Sequence, residues 1–203
     1  MKVSDLPSAT RTGDPPLEHY GLIDLSHPDN RELDRGAPLL VEALWYFLAL
    51  PLVRSYLITS SQFRGWLLRR FGARIGKGVY IKPGLKVKFP WYLEVGDYTW
   101  LGEDVWIDNL APVSIGAHCC VSQGAYFCTG NHDWSTANMK LFRRPIVCHR
   151  GSWVGARAVL CPGVTIGAGA IAAAGSVVTK DIPPMEIHSG NPATLVRRRT
   201  LKS

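Results

Sequence analysis

The sequence predicts an all-β solenoid, a parallel β-helix, and three observations carry that prediction. First, aliphatic residues recur every six positions from residue 75 to 178: Ile75, Ile81, Val87, Val95, Leu101, Ile107, Ile115, Val121, Phe127, Cys148, Val154, Leu160, Ile166, Ala172 and Val178. Twelve of the fifteen are Val, Ile or Leu, so one buried column accounts for them. Second, the next residue is often Gly, at 76, 96, 102, 116, 155 and 167. Glycine there supplies turn dihedrals or a close backbone approach. Third, a six-residue period with one buried aliphatic and a tight turn makes one flat face, and three faces make one coil of a triangular prism.

The elements follow in order. Residues 1–38 mix Pro, Asp, Arg and Gly without a period and read as an extended polar arm, ordered only if it docks on something. Residues 39–74 form a helical segment. Leu39 to Leu50 is apolar except for Glu42, and Pro51 is expected to break the helix into two pieces. This segment can cap the open first coil or pack a subunit, or it can lie on a membrane surface; its apolar run is short of the ~20 residues that span a bilayer. The prism itself covers residues 75–183. Its register slips by two residues around Pro90-Trp91 and again around Ala111-Pro112, so the same corner should bulge on successive coils. Residues 130–145 leave the ladder altogether as an excursion loop, and a long loop on a stiff scaffold is where function concentrates. Pro183-Pro184 stop the repeat, and residues 184–203 form a basic tail.

The composition narrows the function. The chain has 23 Lys and Arg against 16 Asp and Glu, a net charge of +7, which favours anionic partners. Charge is the only argument for nucleic acid, and no recognition motif supports it. Five cysteines at 119, 120, 128, 148 and 161 form no Cys-x-x-Cys pair and read as reduced thiols in a cytoplasmic protein. No secretory signal opens the chain. His132 stands where the chain leaves the coil. An imidazole titrates near about pH 6.5 and can act as a general base, although a surface-loop histidine without a role is equally compatible with residue type alone.

Several runs together resemble the hexapeptide-repeat acyltransferases. They are Pro90-Trp91-Tyr92-Leu93-Glu94-Val95-Gly96-Asp97, Val105 to Val113, Ser122-Gln123-Gly124-Ala125-Tyr126, Cys128-Thr129-Gly130-Asn131-His132-Asp133, and Gly175 to Pro184 with Gly190-Asn191-Pro192-Ala193. The closing run is general to hexapeptide acyltransferases. The His-Asp loop and the Asn109-Leu110-Ala111-Pro112 corner are similar to the group that O-acetylates exopolysaccharide sugars, the colanic-acid type. The resemblance spans roughly residues 44 to 199 and implies a left-handed β-helix, an exception to the usual right-handed crossover. It implies a homotrimer with active sites between prisms, acetyl-CoA as co-substrate and no metal. His132 falls on the family's catalytic histidine. Ala156, Ala174, Thr179, Lys180 and Arg197 fall on its CoA-binding positions, with the Ala156 N–H as oxyanion donor. Asp108, Asn109, Asp133 and Trp134 are weaker expectations for the acceptor, a sugar or lipid-linked oligosaccharide reached from the inner membrane face. Gly102 departs from relatives that carry Asn there, and Cys148-His149-Arg150 departs from the usual aliphatic-Gly-Asp.

Rival classes fare worse. A zinc carbonic anhydrase on this prism needs two histidines five residues apart, and His118, His132, His149 and His188 supply no such pair. A nucleotidyltransferase needs a large nucleotide-binding domain ahead of the prism. A purely structural prism predicts an unbroken ladder. An amino-sugar N-acetyltransferase would share the base and the donor and remains the enzymatic alternative.

Overall fold

The computed structural model describes residues 23–29 and 33–201. Expectations for the remainder of the N-terminal arm and for the last two residues lie outside the described residues.

All fifteen ladder residues are buried, from Ile75 at 8% exposure to Leu160 at 0%. They alternate among three parallel sheets that form the faces of a left-handed prism. The first face holds strands Arg74–Ile75, Leu93–Val95, Val113–Ile115, Ile146–Cys148 and Thr165–Ile166. The second holds Tyr80–Ile81, Trp100–Leu101, Cys120–Val121, Trp153–Val154 and Ile171–Ala172. The third holds Lys86–Val87, Trp106–Asp108, Tyr126–Cys128, Val159–Leu160 and Val177–Val178. Coils stack in register, so Val87, Ile107, Phe127, Leu160 and Val178 form one continuous internal column.

Glycine has two separate duties. At the position after the aliphatic it permits close stacking: a Cβ on Gly96 would stand 2.5 Å from the Ala117 nitrogen of the next coil. The left-handed turn residue lies two positions further on. It is Gly at 78, 84, 124 and 175, but Tyr98, Asp104, His118 and Arg157 also adopt it, each at φ 56°. Close approach, not turn dihedrals, therefore explains the six glycines singled out in the sequence.

The helical segment does cap the first coil. Trp45, Ala49, Val53, Leu67 and Leu68 join the prism core, and the Trp45 indole donates to the Val87 carbonyl at 3.0 Å. Pro51 does not break the helix where expected. Leu39–Leu44 runs into a π-helical turn at Trp45–Ala49 and on into Leu50–Arg54. The Leu50 N–H bonds back to Trp45, five residues away, and this wider turn admits a proline that an α-turn would exclude. The break falls at 55–60, before helix Ser61–Arg70. Arg64 holds that break: its buried guanidinium donates to the carbonyls of Val53, Ser55, Ile58 and Ser60.

The basic tail is also more ordered than the sequence suggested. Glu186–Gly190 and Ala193–Arg198 form an antiparallel hairpin that continues the second face. The Thr194-Leu195-Val196 run has strand propensity, and Gly190-Asn191-Pro192 supplies the turn. All five cysteines are free thiols. Burial pushes the Cys148 thiol well above its ordinary range, and burial raises Cys120 and Cys161 as well, so these three are held in the inert protonated form.

Candidate active site

The bulges and the excursion loop occupy one corner of the prism, between the third and first faces, on successive coils. The first bulge is the 3-10 turn Pro90–Tyr92 and the second is the Leu110–Pro112 corner. Above them rises a hairpin, Gly130–His132 paired antiparallel with Leu141–Arg143. The bulges act as its pedestal. Phe89, Leu110 and Leu141 form a small core of their own, joined by Tyr46, Trp91 and Tyr92. A Cβ on Gly130 would meet the Leu110 side chain at 2.5 Å, so the hairpin sits directly on that leucine.

Thr129, fully buried, ties the pieces together. Its hydroxyl donates to the Asp108 carbonyl at 2.9 Å and accepts from the Ala111 N–H at 3.0 Å, while its carbonyl accepts from the Arg144 N–H at 2.8 Å. Arg143 donates to the Leu110 carbonyl at 2.7 Å. Sequence reasoning missed these roles. A threonine between the strand exit and Gly130 was the only signal available. The arm docks here too: Asp24 donates through its N–H to the Ala137 carbonyl, and the Leu141 N–H donates to Asp29.

His132 ends the first hairpin strand, exposed in the single chain. Its Nδ1 lies 2.6 Å from the Met139 carbonyl across the hairpin. A carbonyl can only accept, so this contact fixes the proton on Nδ1 and leaves the Nε2 lone pair outward. The tip is rigid. The Asp133 N–H donates to Lys140, and Thr136 bonds both the Asp133 carbonyl and the Lys140 N–H.

The four acceptor candidates separate. Asn109 is fully buried, and its amide is spent: Oδ1 accepts from the Phe89 N–H at 2.9 Å and Nδ2 donates to the Phe89 carbonyl at 2.6 Å. It clamps the first bulge, and its full burial keeps it from a ligand at the surface, which corrects the sequence expectation. Asp133 closes the loop. The Ser135 hydroxyl and N–H hold its carboxyl below the usual carboxylate range. Asp108 is half-buried, paired with Lys88 at 3.1 Å and accepting from the Tyr126 hydroxyl at 3.3 Å. Tyr126 in turn stacks on Trp106 at 4.6 Å, so these two rings satisfy one another. Trp134 is 83% exposed at the hairpin tip.

The CoA candidates are divided among two corners and the closing hairpin. Ala156 lies at the corner between the second and third faces, one coil below Ala174. The carbonyls of both corners are used within the stack, as in Gly175 N–H to Ala156 at 2.8 Å. No hydrogen bond among the described residues takes the Ala156 or Ala174 N–H. A Cβ on Gly155 would stand 2.5 Å from the Ala174 nitrogen, so the pair of outward amides depends on that glycine. Below them, on the second face, a groove of about 540 Å³ is bordered by Tyr80, Trp100, Gly102, Ser122 and Gln123. Gly102 has a structural reason here: a Cβ would lie 2.6 Å from the Gln123 nitrogen. Thr179 and Lys180 are exposed at the same corner as the His132 hairpin, two coils further along, and Arg197 is exposed on the closing hairpin. Arg199 differs, donating to the Gly151 and Gly169 carbonyls at 3.1 and 2.9 Å. Within one chain, His132 and the Ala156 amide occupy different corners.

The structure is thus a solenoid that carries a histidine-bearing hairpin at one corner and, at another, two amides without a partner among the described residues, an arrangement suited to acyl transfer. Comparison with known proteins agrees. The chain is 38% identical over 165 residues, 81% of its length and 91% of the relative's, to a protein of Escherichia coli strain K12 named as a colanic acid biosynthesis acetyltransferase, WcaF. It is 28% identical over 134 residues, 64% of its length and 66% of the relative's, to the galactoside O-acetyltransferase of the same strain. Among solved structures it matches a hexapeptide-repeat acetyltransferase of Vibrio cholerae complexed with acetyl-CoA, with a TM-score of 0.72 and 27% identity over 80% of this chain and 88% of that one. No protein-family model matches the chain. The chain belongs to the hexapeptide-repeat acetyltransferase family, and it is an acetyltransferase.

Proposed function

We propose that the protein moves the acetyl group of acetyl-CoA to a sugar hydroxyl in surface-polysaccharide assembly, with His132 as general base. The observation that carries this reading is the 2.6 Å contact of His132 Nδ1 with the Met139 carbonyl, which presents Nε2 as a free acceptor. Nε2 takes the proton of the acceptor hydroxyl, and the oxygen attacks the thioester carbonyl carbon. The tetrahedral oxyanion is met by the Ala156 N–H. It collapses with cleavage of the C–S bond, and the proton on Nε2 passes to the departing CoA sulfur.

Because His132 and Ala156 lie at different corners, this reading requires a second copy, and a homotrimer supplies one. The outer faces favour it. The first face presents Arg74, Glu94, Ser114, Val147 and Thr165, mainly polar, whereas the second presents Tyr80, Trp100, Cys120, Trp153 and Ile171 and the third Lys86, Trp106, Tyr126, Val159 and Val177, both mainly apolar. Two apolar faces and one polar face suit a ring in which each prism meets two neighbours. His132 of one copy then reaches the groove of the next. The acceptor sugar lies over Trp100 and Tyr80, and pantetheine runs upward past the Ala156 and Ala174 amides toward Thr179, Lys180 and Arg197.

The test is free-thiol release from acetyl-CoA with sugars, lipid-linked oligosaccharides and amino sugars as acceptors. Turnover with hydroxyl acceptors is expected; turnover confined to amines would replace this reading with N-acetylation. Two of the three C-terminal arginines give a second expected outcome. Arg197→Ala should raise KM for acetyl-CoA roughly tenfold through loss of a charged phosphate contact. Arg199→Ala should leave that KM unchanged and lower Tm instead, since its bonds go to Gly151 and Gly169. Calorimetry and initial rates on the two variants separate the roles.

A further inference from the structure

The helical cap turns its charge inward and its leucines outward. From Leu39 to Val53 the one charged residue is Glu42, and it is buried against Arg35 at 2.7 Å. The opposite side of the rod is apolar: Leu40 is 70% exposed, Phe47 79%, Leu48 61% and Leu52 43%. Their spacing of seven, eight and twelve residues from Leu40 places them on one stripe of a helix. Leu39 at its start and Leu57 just past its end, 95% exposed, extend the patch. Isolated exposed leucines are ordinary, but a continuous stripe on a helix whose charge is buried is a contact surface.

The charges around the stripe decide what it contacts. From residue 39 to 72 there are four arginines and no acid besides Glu42. Arg64 is committed to carbonyls inside the cap, and Arg69 donates to the Ile75 and Gly76 carbonyls. Arg54 and Arg70 are exposed and have no ion-pair partner among the described residues. Arg54 shares a groove beside the rod with Lys86, Lys88 and Asp108 and a second one with Asp104, so cations outnumber carboxylates at that edge. A second copy of this patch would bring like charges face to face, and the nearby carboxylates are already engaged, Asp108 by Lys88 at 3.1 Å and Asp104 by the Tyr56 hydroxyl. The described part of the N-terminal arm runs to the catalytic hairpin, not to the stripe. An anionic lipid surface satisfies both features, since it takes leucines into its acyl boundary and cations onto its phosphates. No helix of the described residues is long and apolar enough to cross a membrane, so the rod would lie in the plane of the interface.

We propose that the outer stripe of the Leu39–Arg54 rod docks the protein on an anionic lipid bilayer, with Phe47 and Leu48 entering the headgroup–acyl boundary and Arg54 and Arg70 meeting lipid phosphates. Docking stands independently of acetyl transfer. In a trimer of parallel prisms, which rests on the reading above, three caps would face the same way and bind together.

The test is flotation of the full chain with vesicles of phosphatidylglycerol and phosphatidylethanolamine, against vesicles of phosphatidylcholine alone. The protein is expected to float with the anionic vesicles and remain below with the neutral ones. The Phe47→Ser/Leu48→Ser double variant should lose at least about tenfold in bound fraction. The Arg54→Gln/Arg70→Gln variant should lose roughly fivefold per charge, and about 0.5 M salt should reproduce that loss in the unmodified chain. If the double serine variant fails to fold by circular dichroism, Leu57→Ser and the arginine variant carry the same test, because both lie outside the packed side of the rod. The proposal is overturned if the chain does not float with anionic vesicles, or floats equally well after these substitutions. It is also overturned if sedimentation without lipid shows the serine variant at half the mass of the unmodified protein, which makes the stripe a self-association surface. Flotation that appears only after removal of residues 1–22 would make the arm its occupant. Thiol release with a soluble acceptor should be unchanged in every docking variant, so failure of docking and failure of the acetyltransferase reading are distinguishable.

Discussion

His132→Ala should lower kcat by roughly 10²- to 10⁴-fold, the span expected for loss of a positioned general base. The protein should remain folded. His132 is exposed, and among the described residues its side chain makes one bond, to the Met139 carbonyl, so Tm should move by less than about 2 °C. KM for acetyl-CoA should also stay near its starting value, because the Ala156 and Ala174 amides lie at another corner and Thr179 and Lys180 lie two coils away from the hairpin. Thiol-release kinetics with calorimetry on the same preparation reads all three quantities. Unchanged kcat would remove the imidazole from the mechanism. A large fall in Tm would show that the histidine acts by holding the hairpin.

The ladder was legible because burial leaves little choice. A face two residues long can turn only a few side chains inward, so the sixth-position aliphatics had to be the column, and all fifteen are. The glycines were legible by position but not by reason, since close approach and left-handed turn dihedrals leave the same residue in the sequence. Gly96 serves the first purpose, and Tyr98, two positions on, shows that the turn itself does not demand glycine. Pro51 was misread because a proline signals only a missing N–H and a steric demand. Whether the helix breaks or widens to a π-turn is decided by packing around Trp45, which the local sequence does not contain. The arm illustrates the same limit. Its polar composition predicted order only on docking, and the bonds of Asp24 and Asp29 to the hairpin are tertiary.

The site residues divide along that line. His132 could be picked out because it stands at the root of the one long interruption. The resemblance places Asn109 with the acceptor because the Asp108-Asn109 corner matches the family motif, and only the stacked coil beneath it shows both ends of the buried amide bonded to Phe89. The bulged corners looked like tolerated slips in register. Stacked one above another, they are the support on which the His132 hairpin rests.

That support makes Asn109→Ala the sharpest test of how scaffold and chemistry connect. The substitution leaves the Phe89 N–H and carbonyl without partners in a fully buried site, a loss of about 2–4 kcal/mol. For a domain of this size Tm should fall by roughly 5–10 °C. The effect should travel further, because Phe89 packs with Leu110 and Leu141, and Leu141 is paired across the hairpin with His132. A shift of the base by about 1 Å is enough to cost roughly 10²-fold in rate, so kcat should drop at least about tenfold even well below the new Tm. An acceptor-binding asparagine would behave in the opposite way, raising KM for the sugar while leaving Tm alone. Calorimetry beside acceptor-saturation kinetics therefore decides between them. A raised acceptor KM at unchanged Tm would return Asn109 to the binding site and leave the pedestal without its clamp.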